Sequence, residues 1–219
     1  MLTKRMLLPR IIPILLLIAS AVRGAEQTEI DNPWVRVLRV KLDAHEKTAP
    51  AQHPETVRVF ITGGELRITD GARKSTDERR KPGDVRFAQG GTLTFENPSA
   101  DPIEFALIDL KTNAPKPVSP PITLDPVKLD PKHHIVVLEN NRVRVLHTIL
   151  EPHVKSPLHQ HPPYVVVYVT GLHTTMKLAD GKLIDNRRKP GEIAWRDALT
   201  HQTENIDDRA AFEIQVELK

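Results

Sequence analysis

Residues 158–171, Leu-His-Gln-His-Pro-Pro-Tyr-Val-Val-Val-Tyr-Val-Thr-Gly, place two histidines just before a continuous apolar run that ends at glycine. The run is short and rich in β-branched residues, which predicts a buried strand. Side chains alternate faces along a strand, so His159 and His161 project from the same side and can converge on one ion. A third ligand has to come from elsewhere, and His201 is the candidate.

The same pattern occurs a second time, 108 residues earlier in the chain. The register slips by two residues at the Asp-Gly turns at 70–71 and 180–181 and then recovers, as a change in a hairpin loop would produce. The matching segments are 35–38 with 143–146, 52–54 with 160–162, 62–63 with 170–171, and 79–83 with 187–191. The chain is therefore one structural unit written twice.

Each copy reads as short strands separated by Asp-Gly and Pro-Gly turns, with little that is typical of a helix. Many short strands in a unit of roughly 80 to 90 residues predict an all-β sandwich or small barrel. Between the copies, residues 112–132 contain six prolines, which predicts an extended linker or surface strap. The predicted domains are 25–111 and 133–219, joined by 112–132.

Residues 1–24 resemble an export signal, with a basic start, an apolar run and a small-residue cleavage site before Ala25. The alternative is an uncleaved membrane anchor, but the run is shorter than a spanning helix needs. Without these residues the net charge of +3 loses four positive charges and becomes −1, which argues against nucleic-acid binding. The expected location is periplasmic or secreted, with no stable membrane span after cleavage, and the absence of cysteine fits that compartment.

With the paired histidines, a glycine ten residues beyond the second one, a Pro-Gly turn and the segment 201–205, the second copy resembles the cupin family. His159, His161 and Gly171 match the family's first motif, and Gly191, His201 and Asn205 match its second. The resemblance covers both copies, so it implies two tandem jelly-roll (cupin) β-barrels, a bicupin. It further implies that His159, His161 and His201 are metal ligands, for iron, manganese, nickel or zinc, and that the chain acts on a small molecule, with a homodimer as a further expectation.

The sequence departs from the family pattern at the carboxylate ligand, because Tyr164 stands where cupins place a glutamate. Tyr164 is therefore the candidate catalytic residue, as a hydrogen-bond donor to a bound oxygen. Glu213, on the predicted closing strand, is a second group that could complete the site. Alternation places it opposite the apolar face of that strand, where it could equally meet solvent.

The first copy serves as an internal control for the second. At the three ligand positions it has Ala51, His53 and Leu93, so a degenerate barrel without a metal site is expected there. Residues present in both copies are read as architectural, and the two Arg-Arg-Lys-Pro-Gly hairpins as solvated turns. These shared pairs include His45 with His153, Arg36 with Arg144, and Asn97 with Asn205.

Three classes of function remain open from the sequence: an enzyme, a binding protein and a structural protein. An oxygenase of a small organic substrate is the enzyme class that the resemblance implies, and a Lewis-acid hydrolase or isomerase would use the same ligands. The main alternative is a non-catalytic cupin that binds a small ligand. A purely structural β-protein is the third, in which the histidine pair and His201 are unrelated.

Overall fold

The computed structural model describes residues 26–219, and the predicted export signal lies outside them. The prediction of an all-β chain is confirmed, since the described residues form eighteen strands and one four-residue helix. The first half contains β1 (Glu26–Asp31), β2 (Val35–Leu42), β3 (Ala51–His53), β4 (Thr56–Phe60), β5 (Gly64–Asp70), β6 (Ser75–Arg80), β7 (Val85–Ala88), β8 (Gly91–Glu96) and β9 (Ile103–Leu110). The second half contains α1 (Pro126–Leu129), β10 (His134–Glu139), β11 (Val143–Leu150), β12 (His159–His161), β13 (Tyr164–Tyr168), β14 (Leu172–Leu178), β15 (Leu183–Arg188), β16 (Ile193–Arg196), β17 (Leu199–Asn205) and β18 (Ala211–Leu218).

Each half forms one barrel from a five-stranded and a four-stranded antiparallel sheet. The first barrel has the strand orders β1-β2-β9-β4-β7 and β3-β8-β5-β6. The second has β10-β11-β18-β13-β16 and β12-β17-β14-β15, which is the same order with every strand number raised by nine. The duplication read from the sequence is therefore a duplication of topology.

The two barrels share one apolar core, because their five-stranded sheets pack against each other. Val35 and Val37 of β2, and Val143 and Val145 of β11, are fully buried in this shared core. These side chains alternate along their strands with residues that face the barrel interior. The five-stranded sheet of the first barrel is thus apolar on both faces. The five-stranded sheet of the second barrel is apolar throughout only on the face toward the shared core.

The two barrel interiors differ in chemistry. The first is filled by apolar side chains, with Phe60, Phe95 and Phe105 in mutual aromatic contact. The second has a small apolar cluster that includes Tyr164 and Tyr168, and otherwise polar residues. At the positions of Phe95 and Phe105 it has Thr203 and Glu213. Smaller and polar side chains in the second barrel leave room for a site that the first barrel lacks.

The Pro-Gly turns are contacts between the barrels, so reading those hairpins as solvated turns is incomplete. Gly83, at φ 84°, lies against Phe212 so closely that a Cβ would stand 2.3 Å from the ring. Its carbonyl accepts a hydrogen bond from His147 Nε2 at 2.8 Å. At the equivalent position Gly191, at φ 79°, accepts from Arg39 Nη2 at 2.6 Å. Both glycines have the left-handed conformation that favours glycine, and at Gly83 the close approach of Phe212 also excludes a side chain.

Residues 112–132 run along the second barrel as an extended segment that ends in α1. Asp125 caps the helix, since its Oδ1 accepts from the Val127 amide at 3.2 Å. Gln160 of β12 holds the segment, because its Oε1 accepts from the amides of Thr123 and Leu124 at 2.9 and 3.1 Å. We call residues 119–130 the strap. Within residues 26–219, no helix is both long enough and apolar enough to cross a membrane.

Candidate metal centre

Four buried histidines gather inside the second barrel, and four different strand positions supply them. His159 and His161 stand on β12, and His201 lies directly opposite His159 on the paired strand β17. His134 comes from β10, at the edge of the other sheet. The alternation of β12 and the antiparallel pairing with β17 together force three of these rings to one side of the sheet.

The rings stand within contact distance of one another. The centroid of the His159 ring lies 4.4 Å from that of His201, 4.9 Å from that of His161 and 4.9 Å from that of His134. His134, His159 and His161 each place a ring nitrogen so that all three atoms lie within 4.8 Å of one another. We call the four residues the histidine cluster.

The histidine cluster is held in the neutral state. Burial, together with the neighbouring His159, lowers the pKa of His134 to about 4. Burial also lowers the pKa of His159, and it lowers those of His161 and His201 well below the ordinary value. A neutral imidazole keeps a nitrogen lone pair free, which is the state that a metal ion requires.

One nitrogen of each of three rings is fixed by a hydrogen bond. His159 Nδ1 donates to the Pro157 carbonyl at 2.8 Å, and His161 Nδ1 donates to Glu217 Oε1 at 2.7 Å. His201 Nδ1 lies 3.1 Å from the hydroxyl of Thr203. The Nε2 atoms of His161 and His201 are buried and have no hydrogen-bond partner. Such partners set the tautomer and orientation of a metal-ligating histidine, and leave its other nitrogen free.

Behind His161 lies a buried ion pair that occurs in both barrels. Arg144 Nε donates to Glu217 Oε2 at 2.6 Å, while Glu217 Oε1 accepts from His161. In the first barrel, Asp109 accepts from Arg36 at 2.6 Å and lies 3.1 Å from His53 Nδ1. The arrangement of arginine, carboxylate and histidine is thus part of the repeated unit. What the second barrel adds is three further histidines around the last member.

Solved structures with the same architecture place this chain among known folds. AerE from Microcystis aeruginosa superposes with a TM-score of 0.63 at 14% sequence identity, over 90% of this chain and 98% of its own. A variant of the oxalate decarboxylase of Bacillus subtilis gives 0.60 at 14% identity, over 88% of this chain and 71% of its own. A cupin 2 conserved barrel domain protein from Leptotrichia buccalis gives 0.55 at 11% identity, over 90% and 91%. This chain has the bicupin fold.

Comparison at the level of sequence does not identify a family for this bicupin. No model of a known protein family matches it, and no curated protein matches it either. The likeness to solved structures therefore shows the fold alone, and the chemistry has to be argued from the histidine cluster.

The residues of this bicupin fit a metal ion by their donor chemistry. The cluster offers imidazole nitrogens that are buried, neutral and in part without any other partner. Imidazole suits zinc, copper, iron and nickel, whereas magnesium and calcium prefer oxygen ligands. The first barrel has a single histidine at the equivalent place, His53, together with Ala51 and Leu93.

The structure brings the rings of His159, His161 and His201 together and adds His134, and the metal-binding role of these residues stays a prediction. The mutual nitrogen distances group His134 with His159 and His161, while His201 joins through ring contacts. The motif comparison missed His134 because it precedes the paired histidines by twenty-five positions. The first copy has Glu26 at the position equivalent to His134. A search for histidines that occur in only one of the two copies would therefore have found His134.

Tyr164 and Glu213 occupy different places around the cluster. The Tyr164 ring is buried, with its centroid 5.0 Å from that of His161. Burial and the nearby Glu213 raise the pKa of Tyr164 well above its ordinary value, so the hydroxyl stays protonated. Glu213 faces the barrel interior rather than the surrounding solvent, and its carboxylate is not grouped with the nitrogens of the cluster. The roles of both residues stay predictions.

A narrow cavity of about 30 Å³ reaches three members of the cluster, His134, His159 and His201. That volume is room for about two water molecules, since one needs roughly 10 to 15 Å³. The cavity is also lined by Thr148, Leu150, Ser156, Thr174, Thr203, Ala211, Glu213 and Gln215. Its size favours a small ligand.

Proposed function

We propose that this bicupin binds one divalent transition metal ion through the histidine cluster and holds a small organic ligand beside it. The observation that carries the proposal is the convergence of buried, neutral imidazoles on one point in one barrel. Burying polar groups without partners is unfavourable, so four histidines in a barrel interior need a reason. The first barrel shows that the fold stands without them.

The chain's own residues supply position and protection. Glu217 orients the His161 ring, and the Pro157 carbonyl orients that of His159. The Tyr164 ring lies beside His161 and its hydroxyl stays protonated, which supports a role as hydrogen-bond donor to a bound ligand. A bound metal would supply Lewis acidity and, for a redox-active ion, reactivity toward dioxygen. An oxygenase is therefore the enzyme class proposed. The alternative is a non-catalytic cupin that binds a small ligand, and the narrow cavity is compatible with it.

Metal analysis of the purified protein tests the proposal directly. We expect about one transition metal ion per chain in the wild type and loss of most of it in His161→Gln. His53→Gln is the matched control, because His53 makes the same contact with a buried carboxylate in the first barrel. Wild-type protein that takes up no metal, or equal loss in both variants, would contradict the proposal. Circular dichroism and the melting temperature check that each variant is folded.

Catalysis is tested separately on metal-loaded protein. Oxygen uptake with small diketone, phenolic and thiol compounds distinguishes an oxygenase from a binder. We expect uptake with at least one compound and its loss in the Tyr164→Phe variant. Metal binding without turnover across the set would favour the alternative, a ligand-binding cupin.

Export and assembly are further parts of the proposal. Cleavage before Ala25 would place the mature chain in the periplasm or outside the cell, and N-terminal sequencing of protein from the envelope fraction tests it. Mature protein that begins at Met1 would contradict export by this signal. Sedimentation of the mature chain tests the expected homodimer.

A further inference from the structure

One wall of the cavity consists of three polar side chains from two neighbouring strands. Thr148 of β11 lies directly opposite Glu213 of β18, and Gln215 follows two residues along the same face. Thr148 is also the pairing partner of His134, so the row of residues runs from the histidine cluster across the sheet to Glu213. We call Thr148, Glu213 and Gln215 the polar wall.

The fold does not require the polar wall. In the first barrel the equivalent positions hold Val40, Phe105 and Leu107, all fully buried. Both barrels have the same strand order and pairing, so an apolar wall would serve the second equally well. Replacing it with polar groups lowers stability unless something pairs with them. The polar wall therefore indicates a ligand.

Two buried atoms of the polar wall lack a partner. Gln215 Nε2 donates to Glu213 Oε1 at 2.7 Å, which leaves Gln215 Oε1 without a hydrogen bond. The Thr148 hydroxyl also has none. Gln215 and Thr148 are 2% and 8% exposed, and both line the cavity beside Glu213. A buried amide oxygen and a buried hydroxyl that line a cavity are placed to form hydrogen bonds with a molecule held there.

The free positions of the polar wall are mainly acceptors. The Gln215 amide oxygen can only accept, and the Thr148 hydroxyl can do either. Burial raises the pKa of Glu213, while the hydrogen bond from Gln215 and the nearby Arg196 and Arg188 oppose that rise, and the ionised carboxylate can only accept. The complement of such a wall is a hydroxyl or amino group, whereas a second carboxylate would be repelled by Glu213.

We infer that the ligand is a small compound with a metal-binding oxygen group at one end and a hydroxyl or amino group at the other. This inference rests on the proposed function, since it takes the histidine cluster as the place of the first group. It sets the ligand apart from dicarboxylates, although one of the similar structures is an oxalate decarboxylase.

Titration calorimetry of metal-loaded protein at pH 8 tests the inference with glycolate and oxalate as probes. The two compounds have the same carbon skeleton and differ in whether one end is a hydroxyl or a carboxylate. Thr148→Val and Gln215→Leu each copy the kind of residue found in the first barrel, and we expect each to weaken glycolate binding about tenfold. Glu213→Gln removes the negative charge and is expected to strengthen oxalate binding at least tenfold.

The control is Thr56→Val, which removes a buried hydroxyl without a partner in the first barrel, away from the cavity. It should leave both affinities unchanged. Metal content, measured on every variant, separates the two proposals. The inference alone is overturned if Thr148→Val and Gln215→Leu retain the metal and bind glycolate as the wild type does. It is likewise overturned if Glu213→Gln retains the metal and binds oxalate as the wild type does. A wild type without metal overturns the inference together with the proposed function.

Discussion

Glu217 connects the repeated part of the fold to the part that is unique to the second barrel. Its carboxylate accepts from Arg144 on one side and from His161 on the other, and it is 1% exposed. Burial raises the pKa of Glu217, and the hydrogen bond from Arg144 opposes that rise. The residue is held in place from both sides, so it can hold His161 in turn.

Glu217→Gln should weaken metal binding by about 10- to 100-fold, because the amide is a poorer acceptor for the His161 N–H and no longer fixes the ring. Competition with a chromophoric chelator measures the affinity. Asp109→Asn changes the equivalent carboxylate of the first barrel and should leave the affinity unaltered. Equal affinities in wild type and Glu217→Gln would show that the contact does not position the ring.

The histidine cluster makes the metal-free protein sensitive to acid. Burial lowers the pKa of His134 to about 4, whereas an unfolded histidine titrates near 6.5. Between these values the unfolded chain binds a proton that the folded chain does not, so stability is complete above about pH 6.5 and falls toward pH 4. His134 alone contributes a loss of about 1.4 kcal/mol per pH unit over that range.

Urea unfolding at pH 7.5, 6.5 and 5.5 in the presence of a chelator measures this loss. The difference between wild type and His134→Gln isolates His134 from the carboxylates, and we expect the variant to lose less stability on acidification. Parallel pH curves for the two proteins would contradict the assignment. His153→Gln is a suitable control because that histidine is exposed and outside the cluster.

At the level of single residues, spacing along the sequence predicts the residues that belong to one motif. It does not predict the residues that only the fold brings next to them. His159 and His161 follow from alternation, and His201 from its place in the second motif. His134 could not be found that way, since only the pairing of β10 with β11 brings it to the cluster. Of the polar wall, the sequence named Glu213 as a candidate, whereas Thr148 and Gln215 were missed for a similar reason. Thr148, Glu213 and Gln215 look like the polar half of ordinary alternating strands until the other face proves to be buried against a second barrel.

Among the elements, the strap is attached to β12 through Gln160. The side-chain oxygen of Gln160 accepts from the backbone N–H groups of Thr123 and Leu124, and the backbone N–H of Gln160 donates to the Leu124 carbonyl at 2.8 Å. The strap also approaches the site through Asp125, whose Oδ1 accepts from Arg144 at 3.0 Å. The proline content predicted an extended segment, but not the contacts that fix it.

Gln160→Ala should loosen the strap without unfolding the barrel, because it removes side-chain acceptors and keeps the backbone hydrogen bond. We expect amide hydrogen exchange at 121–130 to rise at least tenfold while the strands of the second barrel keep their protection. Gln52→Ala is the matched control. Its amide oxygen accepts from the Thr92 hydroxyl within the first barrel and touches no strap residue. Unchanged exchange at 121–130 would show that α1 and Asp125 suffice to hold the segment.

On the scale of the whole molecule, the two barrels are joined by one shared apolar core. Val59 and Ile108 from the first barrel and Ile214 and Val216 from the second are fully buried in the same core. Separating the barrels would expose both five-stranded sheets to water. The sequence predicted the duplication. It did not predict that one face of each five-stranded sheet packs against the other barrel, because alternation alone does not say which core each face joins.

Ile108→Ala should lower the unfolding free energy by about 2–5 kcal/mol, as deletion of buried methyl groups from a packed core does. Because the core is shared, we expect the most protected amides of both barrels to lose protection together. Val118→Ala, at a residue 83% exposed, should change neither. Loss of protection confined to the first barrel would mean that the barrels unfold independently.

The stacked pair of Trp34 and Trp195 reports on whether the two barrels are packed against each other. The two rings lie 5.4 Å apart with 7° between their planes, one from each barrel. They are the two tryptophans of the sequence, so the indole signal comes entirely from this pair. The fixed, asymmetric environment of the stacked rings is expected to contribute to the near-ultraviolet circular dichroism, and this contribution is lost once the barrels part. Undocking thus becomes visible without any label, even while each barrel keeps its strands.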